Sequence, residues 1–301
     1  MSNTIAAVIL TKNEEKHIAR CIGSLKNVCD EVIVVDSFSS DKTCEIAKSH
    51  GAEICRHAFV NHARQFNWAL EHCDIKSEWI WRIDADEYLE GNIGSAVKEA
   101  VKKCDSDVNG IYLRKRIDFM GKPLKHGGWY PTYHLKVFRK GHGECENRWM
   151  DEHIRIFDGK TITVDEGNQV DANLNGLTWW TDKHNHYATR EMIDMLMTEF
   201  ELDAKGQEVI PMFFGTEEQR KRWLKMKYVK APLFVRPFAN FFYRYIIRGG
   251  FLDGKEGFIW HILQGFWYRM LVDAKIFEIK KKFNSNPEAI KEFLKDYLAC
   301  S

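Results

Sequence analysis

The chain has 301 residues, of which 45% are hydrophobic and 29% charged, which is the composition of an ordinary globular protein with one large or two smaller domains. Its formal net charge of +1 gives no global attraction to nucleic acid. Its eight cysteines are scattered without a C-x-x-C pair, which argues against a zinc ribbon or a secreted disulfide framework and favours reduced thiols in the cytoplasm.

The first hundred residues alternate between strand and helix patterns. Short apolar runs predict buried strands at 5–10, 31–36, 52–56 and 79–83. The intervening segments predict helices that begin after a cap at Asn13, near Thr43 and at Asn61. This alternation favours an α/β fold with a mostly parallel sheet flanked by helices.

Polar clusters follow three of the predicted strands. They are Thr11-Lys12-Asn13, Asp36-Ser37 and Asp84-Ala85-Asp86. Ligands of parallel α/β sheets bind beyond the carboxyl ends of the strands, so we expect the three clusters to line one crevice. Two carboxylates as close as Asp84 and Asp86 are costly to desolvate together, unless a divalent cation lies between them and a polyphosphate. No G-x-G-x-x-G or P-loop pattern follows the first strand.

The pattern changes beyond residue 107. Strands are predicted at 110–114 and 135–139, and helices after Thr189. Residues 219–252 carry nine lysines or arginines, no acidic residue and many aromatic residues. That composition is typical of a helical region with a charged outer face, and also of a surface that contacts anionic lipids. Nucleic-acid binding is disfavoured because no recognition motif accompanies the basic residues.

Four segments, taken in order and spacing, resemble the inverting family-2 glycosyltransferases of GT-A fold, and among them the lipopolysaccharide-core β-glucosyltransferase type. The segments are Thr11-x-Asn13-x-Glu15, Val34 to Thr43, Asn67 to Leu70 and Asp84 to Glu87. The resemblance covers about residues 4 to 155. It implies a Rossmann-like GT-A domain at 1–185 and a helical C-terminal region at 186–301 that faces the acceptor or a membrane.

The resemblance implies a nucleotide pocket at the first two strand ends. In that pocket Thr11, Asn13 and Glu15 line the nucleotide, and Asp36 faces the uracil or the ribose. Ser37 stands where many members of the family have a second acidic residue.

The resemblance also implies groups for the phosphates and the metal. Arg64 is expected to supply a cation to the phosphates, because Phe66 stands where many members have Arg or Lys. Asp84 is expected to face the donor sugar or the ribose, and Asp86 to ligate Mg²⁺ or Mn²⁺ directly, with Asp84 as a second ligand. His186 is a further candidate for the metal or the diphosphate. Its spacing from His184 predicts that both lie on one face of a strand, where structural histidines are the commoner case.

An inverting transfer also requires a carboxylate that deprotonates the acceptor hydroxyl. Asp151 and Glu152, within Trp149–His153, are the candidates, because they follow the second pair of strands, where the family keeps its base. Glu152 is favoured over Asp151. An ordinary surface role for both is the alternative.

The sequence therefore predicts a metal-dependent inverting transferase that moves a hexose, glucose foremost, from a UDP-sugar donor. The expected acceptor is a saccharide on lipopolysaccharide core or a lipid carrier, met at the inner face of the cytoplasmic membrane by a peripheral protein. Two alternatives stay open: a sugar nucleotidyltransferase of similar fold, and a catalytically silent scaffold that binds nucleotide sugar or membrane. Ser37 and Phe66, which depart from the family pattern, keep the silent scaffold open.

Overall fold

The computed structural model describes residues 3–146, 152–200, 202 and 227–300. The chain forms two compact units, residues 1–175 and 176–301. The predicted boundary after residue 185 lies within a helix that begins at Leu177. Among the described residues, every helix is too short or too polar to traverse a lipid bilayer.

The first unit is an α/β structure. Its strands are β1 (Ile5–Thr11), β2 (Glu31–Asp36), β3 (Glu53–Arg56), β4 (Trp79–Asp84), β5 (Glu87–Glu90), β6 (Val108–Phe119), β7 (Lys122–Pro123), β8 (Thr132–Arg139), β9 (Gly143–Cys145), β10 (Ile154–Ile156) and β11 (Lys160–Asp171). Its helices are α1 (Ile18–Leu25), α2 (Thr43–Ser49), α3 (His62–His72) and α4 (Ile93–Lys103).

One large sheet carries most of these strands in the order β3-β2-β1-β4-β8-β6-β11-β5, with β7 paired to β6. The strand β1 runs parallel to both β2 and β4, whereas β8 is antiparallel to both β4 and β6. Apolar clusters cover both faces, one packed against α1 and α4 and the other against α3. A strand buried on both faces reads as a continuous apolar run, which is why β1 and β4 are conspicuous in the sequence.

A bulge in β11 sets the register of its last residues. The pairing with β6 shifts between Val164 and Gln169. Gly167, inside the bulge, has φ of +79°, and a Cβ there would lie 2.4 Å from the carbonyl oxygen of Glu90. Glycine is therefore required at this position, and the bulge directs Gln169 toward the buried indole of Trp81, whose Nε1 donates to Gln169 Oε1 at 3.0 Å.

Two predicted helix starts are wrong. Helix α1 begins at Ile18 rather than after Asn13, because Asn13 has a left-handed backbone and its side chain bonds to another loop. The helical C-terminal part begins at Leu177, well before Thr189. Helix α3 begins as predicted, because Asn61 Oδ1 accepts from the Arg64 amide at 2.8 Å.

The second unit is helical. Its α-helices are α5 (Leu177–Glu199), α6 (Val235–Phe241), α7 (Gly254–Trp260), α8 (Tyr268–Lys282) and α9 (Pro287–Cys300). Two π-helical segments, Phe242–Ile247 and His261–Trp267, and a 3₁₀ turn at Gly250–Asp253 connect them. Apolar side chains of α5, α8 and α9 form the core of this unit.

A buried ion pair fixes the start of α6. Asp273, on α8, is fully buried. Its Oδ1 accepts from Arg236 Nε at 2.7 Å, and its Oδ2 accepts from the Phe234 amide at 2.7 Å. Because the charge of Arg236 is also buried, each partner depends on the other for neutralisation.

We expect Asp273→Asn to lower the free energy of unfolding by about 3–5 kcal/mol, because it leaves a buried guanidinium without a counter-charge. Urea denaturation followed by fluorescence measures this loss. Glu288→Gln is the matched control: it breaks an exposed pair with Lys291 and should leave stability close to wild type. Equal stability of both variants would contradict the role assigned to the Arg236–Asp273 pair.

Candidate functional site

The carboxyl ends of β1, β2 and β4 meet at one edge of the sheet. In the parallel register Thr11 pairs with Asp36, and Leu10 pairs with Asp84. The expectation that the three strand ends converge is therefore confirmed. Such an edge is where α/β sheets bind their ligands.

Asp36 is buried at this edge and held by hydrogen bonds from Thr11, Ser39 and Cys44. Its Oδ1 accepts from Thr11 Oγ1 at 3.1 Å and from Ser39 Oγ at 2.5 Å, and its Oδ2 accepts from the Ser39 amide at 2.9 Å. Burial by itself raises the pKa of a carboxyl group, but the hydrogen bonds, led by those from Ser39, hold the pKa of Asp36 below its usual value.

The loops that follow β1 and β2 are joined by hydrogen bonds in both directions. The Asn13 amide donates to Ser39 Oγ at 2.8 Å, and Asn13 Oδ1 accepts from the Ser40 amide at 2.9 Å. Glu15 Oε2 accepts from the Lys42 amide at 3.2 Å. The side chains of Asn13 and Glu15 thus hold the neighbouring loop in place, and their contact with a nucleotide stays a prediction.

Ser37 and Arg64 occupy different environments. Ser37 is buried beside Asp36, and its Oγ accepts from Gln65 Nε2 at 2.8 Å. Phe66 is fully buried in the apolar cluster under α3, so it offers nothing to a phosphate. Arg64 is exposed on the same helix, and its predicted contact with the phosphates stays a prediction.

Asp84 lies among positive charges. Lys136 Nζ is 3.4 Å from Asp84 Oδ2. Burial alone raises the pKa of this carboxyl group, but the charges of Lys136, Arg82 and Lys115 hold the pKa of Asp84 far below its usual range. Asp84 is therefore an ionised group whose charge is already partly neutralised by the protein.

Glu87 is a fully buried centre of this charge network. Its carboxylate accepts from the Asp84 amide at 2.9 Å and from Gln169 Nε2 at 2.5 Å. Lys136 Nζ lies 3.2 Å and Lys115 Nζ 3.1 Å from its oxygens. Glu87 thus fixes both the backbone that leads into Asp84 and the lysines beside it.

Asp86 is held on the other side of the turn. Its Oδ2 accepts from Asn173 Nδ2 at 3.0 Å. Arg20 Nη2 donates to the carbonyl oxygens of Asp86 and Ala172, at 3.0 and 2.5 Å, and so ties the turn after β4 to the end of β11. Hydrogen bonds therefore hold both the side chain and the carbonyl oxygen of Asp86.

The oxygen donors at this edge fit a divalent cation of the nucleotide-bound kind. Hard cations in such sites take one or two carboxylates together with phosphate oxygens. Lys136 engages Asp84 and Asn173 engages Asp86, and direct metal ligation by Asp86 stays a prediction. Among the described residues, no group of three or more His, Cys, Asp or Glu side chains is placed to hold a metal alone. A cation completed by diphosphate oxygens requires no such group.

Glu152 is paired with Arg82, and its role as the base stays a prediction. Its Oε1 accepts from Arg82 Nη2 at 2.9 Å, while Arg82 Nη1 donates to Cys145 Sγ at 3.0 Å. Burial by itself lowers the pKa of Arg82, but the neighbouring Cys145, Asp84 and Glu152 raise it above its usual value. Arg82 therefore lies within electrostatic range of both Asp84 and Glu152. Asp151 lies outside the described residues.

Sequence reasoning gave no role to the groups that surround these candidates. They are Arg82, Glu87, Lys115, Lys136 and Gln169. A signal for two of them is present: Arg82 interrupts the apolar run 79–83, and Lys136 interrupts the apolar run 135–138. A cation in the interior of a sheet needs a buried acidic partner, so such an interruption points to a charge network.

The expectation that His184 and His186 share one face of a strand is wrong. Both lie in α5, where residues two apart are rotated by about 200°. His184 stacks on Trp180 at 3.5 Å, and His186 is exposed. Both belong to the second unit, and a metal role for His186 stays a prediction.

Comparison with known proteins supports a transferase. The family model described as glycosyl transferase family 2 matches residues 6–156. An uncharacterized glycosyltransferase of Rickettsia typhi is 26% identical over 283 residues, which cover 92% of this chain and 88% of the relative. The lipopolysaccharide core biosynthesis glycosyltransferase LpsC of Rhizobium meliloti is 25% identical over 280 residues, which cover 91% and 92%.

A solved structure shares the fold over most of the chain. The mannosyltransferase PcManGT from Pyrobaculum calidifontis, in complex with GDP-mannose and Mn²⁺, is similar with a TM-score of 0.50 at 15% identity. The match covers 91% of this chain and 86% of that one. At this identity the likeness concerns the fold, and it confirms the predicted GT-A architecture with C-terminal helices.

We expect Ser39→Ala to destabilise the protein by about 1–3 kcal/mol at neutral pH, because Ser39 Oγ both donates to Asp36 and accepts from the Asn13 amide. The folded-state pKa of Asp36 is depressed, so this contribution is complete above about pH 4 and is lost as pH falls through the folded pKa. Urea unfolding of both proteins across that range measures the difference.

The matched control for Ser39 is Ser40→Ala, whose hydroxyl makes only a long, exposed contact of 3.4 Å with Asn13. It should remain close to wild type at every pH. A difference between Ser39→Ala and wild type that stays constant into acid would show that Ser39 does not stabilise the ionised form of Asp36.

Proposed function

Because the chain belongs to glycosyltransferase family 2, we propose that it transfers a hexose, glucose foremost, from a UDP-linked donor with inversion at the anomeric carbon. The acceptor is a saccharide on lipopolysaccharide core or on a lipid carrier. The reaction is metal-dependent and is performed at the inner face of the cytoplasmic membrane.

One arrangement carries this proposal. Asp36 and Asp84 end β2 and β4, the strands on either side of β1, and Arg82 lies within electrostatic range of both Asp84 and Glu152. A donor-binding edge and a candidate base are thereby held within one charge network. This is the disposition that an in-line transfer between a nucleotide sugar and an acceptor hydroxyl requires.

The donor side follows from the chemistry of these residues. Asp36 is an ionised acceptor for an N–H or O–H group of the nucleoside. Asp86, with Asp84 beside it, would hold Mg²⁺ or Mn²⁺. A cation bound there supplies positive charge next to the leaving diphosphate. Lys136 and Lys115 hold Asp84 ionised and keep its carboxylate in one position.

In this proposal Glu152 deprotonates the acceptor hydroxyl. Arg82 engages Oε1, so Oε2 is the atom that takes the proton from the acceptor hydroxyl. The hydroxyl oxygen then forms its bond to the anomeric carbon as the bond from that carbon to the diphosphate oxygen breaks. The products are the β-linked saccharide and the free nucleoside diphosphate.

Two observations support the acceptor and its location. The relative LpsC is named for lipopolysaccharide core biosynthesis and matches nearly the whole chain. The C-terminal half is rich in cationic and aromatic residues, which suits contact with an anionic membrane surface.

We expect Asp86→Asn to abolish the part of UDP binding that depends on Mn²⁺ and to slow transfer by about 100-fold or more, because a direct ligand loses its charge. The rise in melting temperature on adding UDP with and without Mn²⁺ measures binding. Asp158→Asn, an exposed acid elsewhere in the first unit, is the control. A metal-dependent rise of wild-type size in Asp86→Asn would exclude Asp86 as the ligand.

We expect Glu152→Gln to lower kcat by about 10²–10⁴-fold while the melting-temperature rise with UDP-sugar and Mn²⁺ stays unchanged, because the amide cannot accept the proton. Release of UDP during transfer is the measurement. Glu144→Gln, on neighbouring β9, is the control.

Three other results of these assays would change the proposed function or the assignment of the base. Full turnover by Glu152→Gln would move the base to another residue. Release of pyrophosphate by the wild type would identify a nucleotidyltransferase. Donor binding without transfer to any saccharide acceptor would identify a silent scaffold.

A further inference from the structure

The second unit exposes a continuous apolar surface within residues 234–258. We propose that this surface, here called the apolar face, docks on an anionic phospholipid bilayer. It includes Val235, Phe238, Phe242, Ile246, Ile247 and Leu252, all of which are exposed. The inference deepens the membrane location given in the proposed function, and it can fail without the transferase proposal failing, because docking requires neither a donor nor an acceptor.

The apolar face follows from helical spacing. Val235, Phe238, Phe242 and Ile246 are separated by three, four and four residues along α6 and the π-helical segment that continues it. Residues at such intervals lie on one side of a helix. Phe238 is 59% exposed and Phe242 57% exposed, so the side they occupy faces away from the unit.

Two polar residues of α6, Arg236 and Asn240, face inward. Arg236 is only 3% exposed, with its guanidinium paired to Asp273. Asn240 Nδ2 donates to the carbonyl oxygen of Gly265 at 2.7 Å. These contacts fix the rotation of the helix, so the phenylalanines are presented outward by the structure. A water-facing helix is expected to show the opposite distribution.

Positive charge accompanies the apolar face. Arg248 and Lys255 are exposed within the same segment. A layer of lipid phosphate groups would attract these two exposed cations.

This combination selects a bilayer over a second copy of the chain. A two-fold symmetric contact places the same patch on both sides, so it would bring two copies of Arg248 and Lys255 toward one another. The interface of an anionic bilayer accepts aromatic and aliphatic side chains and attracts cationic groups at the same time. Exposed phenylalanines with exposed cations beside them therefore match a lipid surface.

Flotation of the full chain with vesicles tests the proposal without donor or acceptor. The vesicles consist of phosphatidylcholine alone or of phosphatidylcholine with phosphatidylglycerol. We expect binding to the anionic vesicles, weakened by salt because surface charges are screened. Phe242→Gln should weaken it by about tenfold, and Arg248→Gln by about fivefold. Phe157→Gln, at a phenylalanine 50% exposed in the first unit, should bind like wild type.

The fold and the alternative partner are checked on the same samples. Circular dichroism and melting temperature show whether each variant is folded. If Phe242→Gln does not fold, Ile247→Asn replaces it as the test of an exposed apolar residue. Equal binding by wild type, Phe242→Gln and Arg248→Gln would overturn the proposal, as would absence of wild-type binding to anionic vesicles. Concentration-dependent dimers that Phe242→Gln abolishes, without vesicle binding, would assign the surface to a second copy instead.

Discussion

The sheet edge at the end of β4 depends on the neutralisation of buried carboxylates. An ionised carboxylate removed from water costs several kcal/mol unless it is paired and hydrogen-bonded. Glu87 receives two lysines, an amide side chain and a backbone amide. The lysines come from β6 and β8, in the part of the sheet where those strands pair antiparallel, whereas Asp84 ends a parallel strand. The antiparallel part of the sheet thus supplies the positive charges that neutralise Asp84 and Glu87.

Two further carboxylates are held in place by other groups. Asp36 is oriented by donors from Thr11 and Ser39, and Glu152 is held by Arg82. Charges and dipoles that are fixed in advance need no reorganisation during a reaction, which is the main electrostatic advantage of an enzyme site over water. The hydrogen bonds between the loops that follow β1 and β2 hold both loops in place.

The sequence was sufficient for the parts of the fold that local pattern determines. Apolar runs identified the first four strands, and polar residues directly after them identified the edge of the sheet. The sequence pattern did not predict contacts between side chains and residues that are distant in sequence. Asn13 has the residue type of a helix cap but bonds to Ser40 across the sheet edge. Lys115 and Lys136 are distant in sequence from the acids that they neutralise, so periodicity gives no indication of their partners. The histidine pair was misplaced because a two-residue spacing has meaning only after the secondary structure is known.

The bulge at Gly167 limits the insertions and deletions that this part of β11 can accept. Surface turns between strands generally tolerate insertions and deletions. In β11, loss or gain of one residue would turn Gln169 and Asp171 to the opposite side of the sheet, because alternate residues point in opposite directions. Glu87 would then lose its amide donor, and Lys115 its second acid. The number of residues in this turn is therefore constrained by the buried charges on the neighbouring strands.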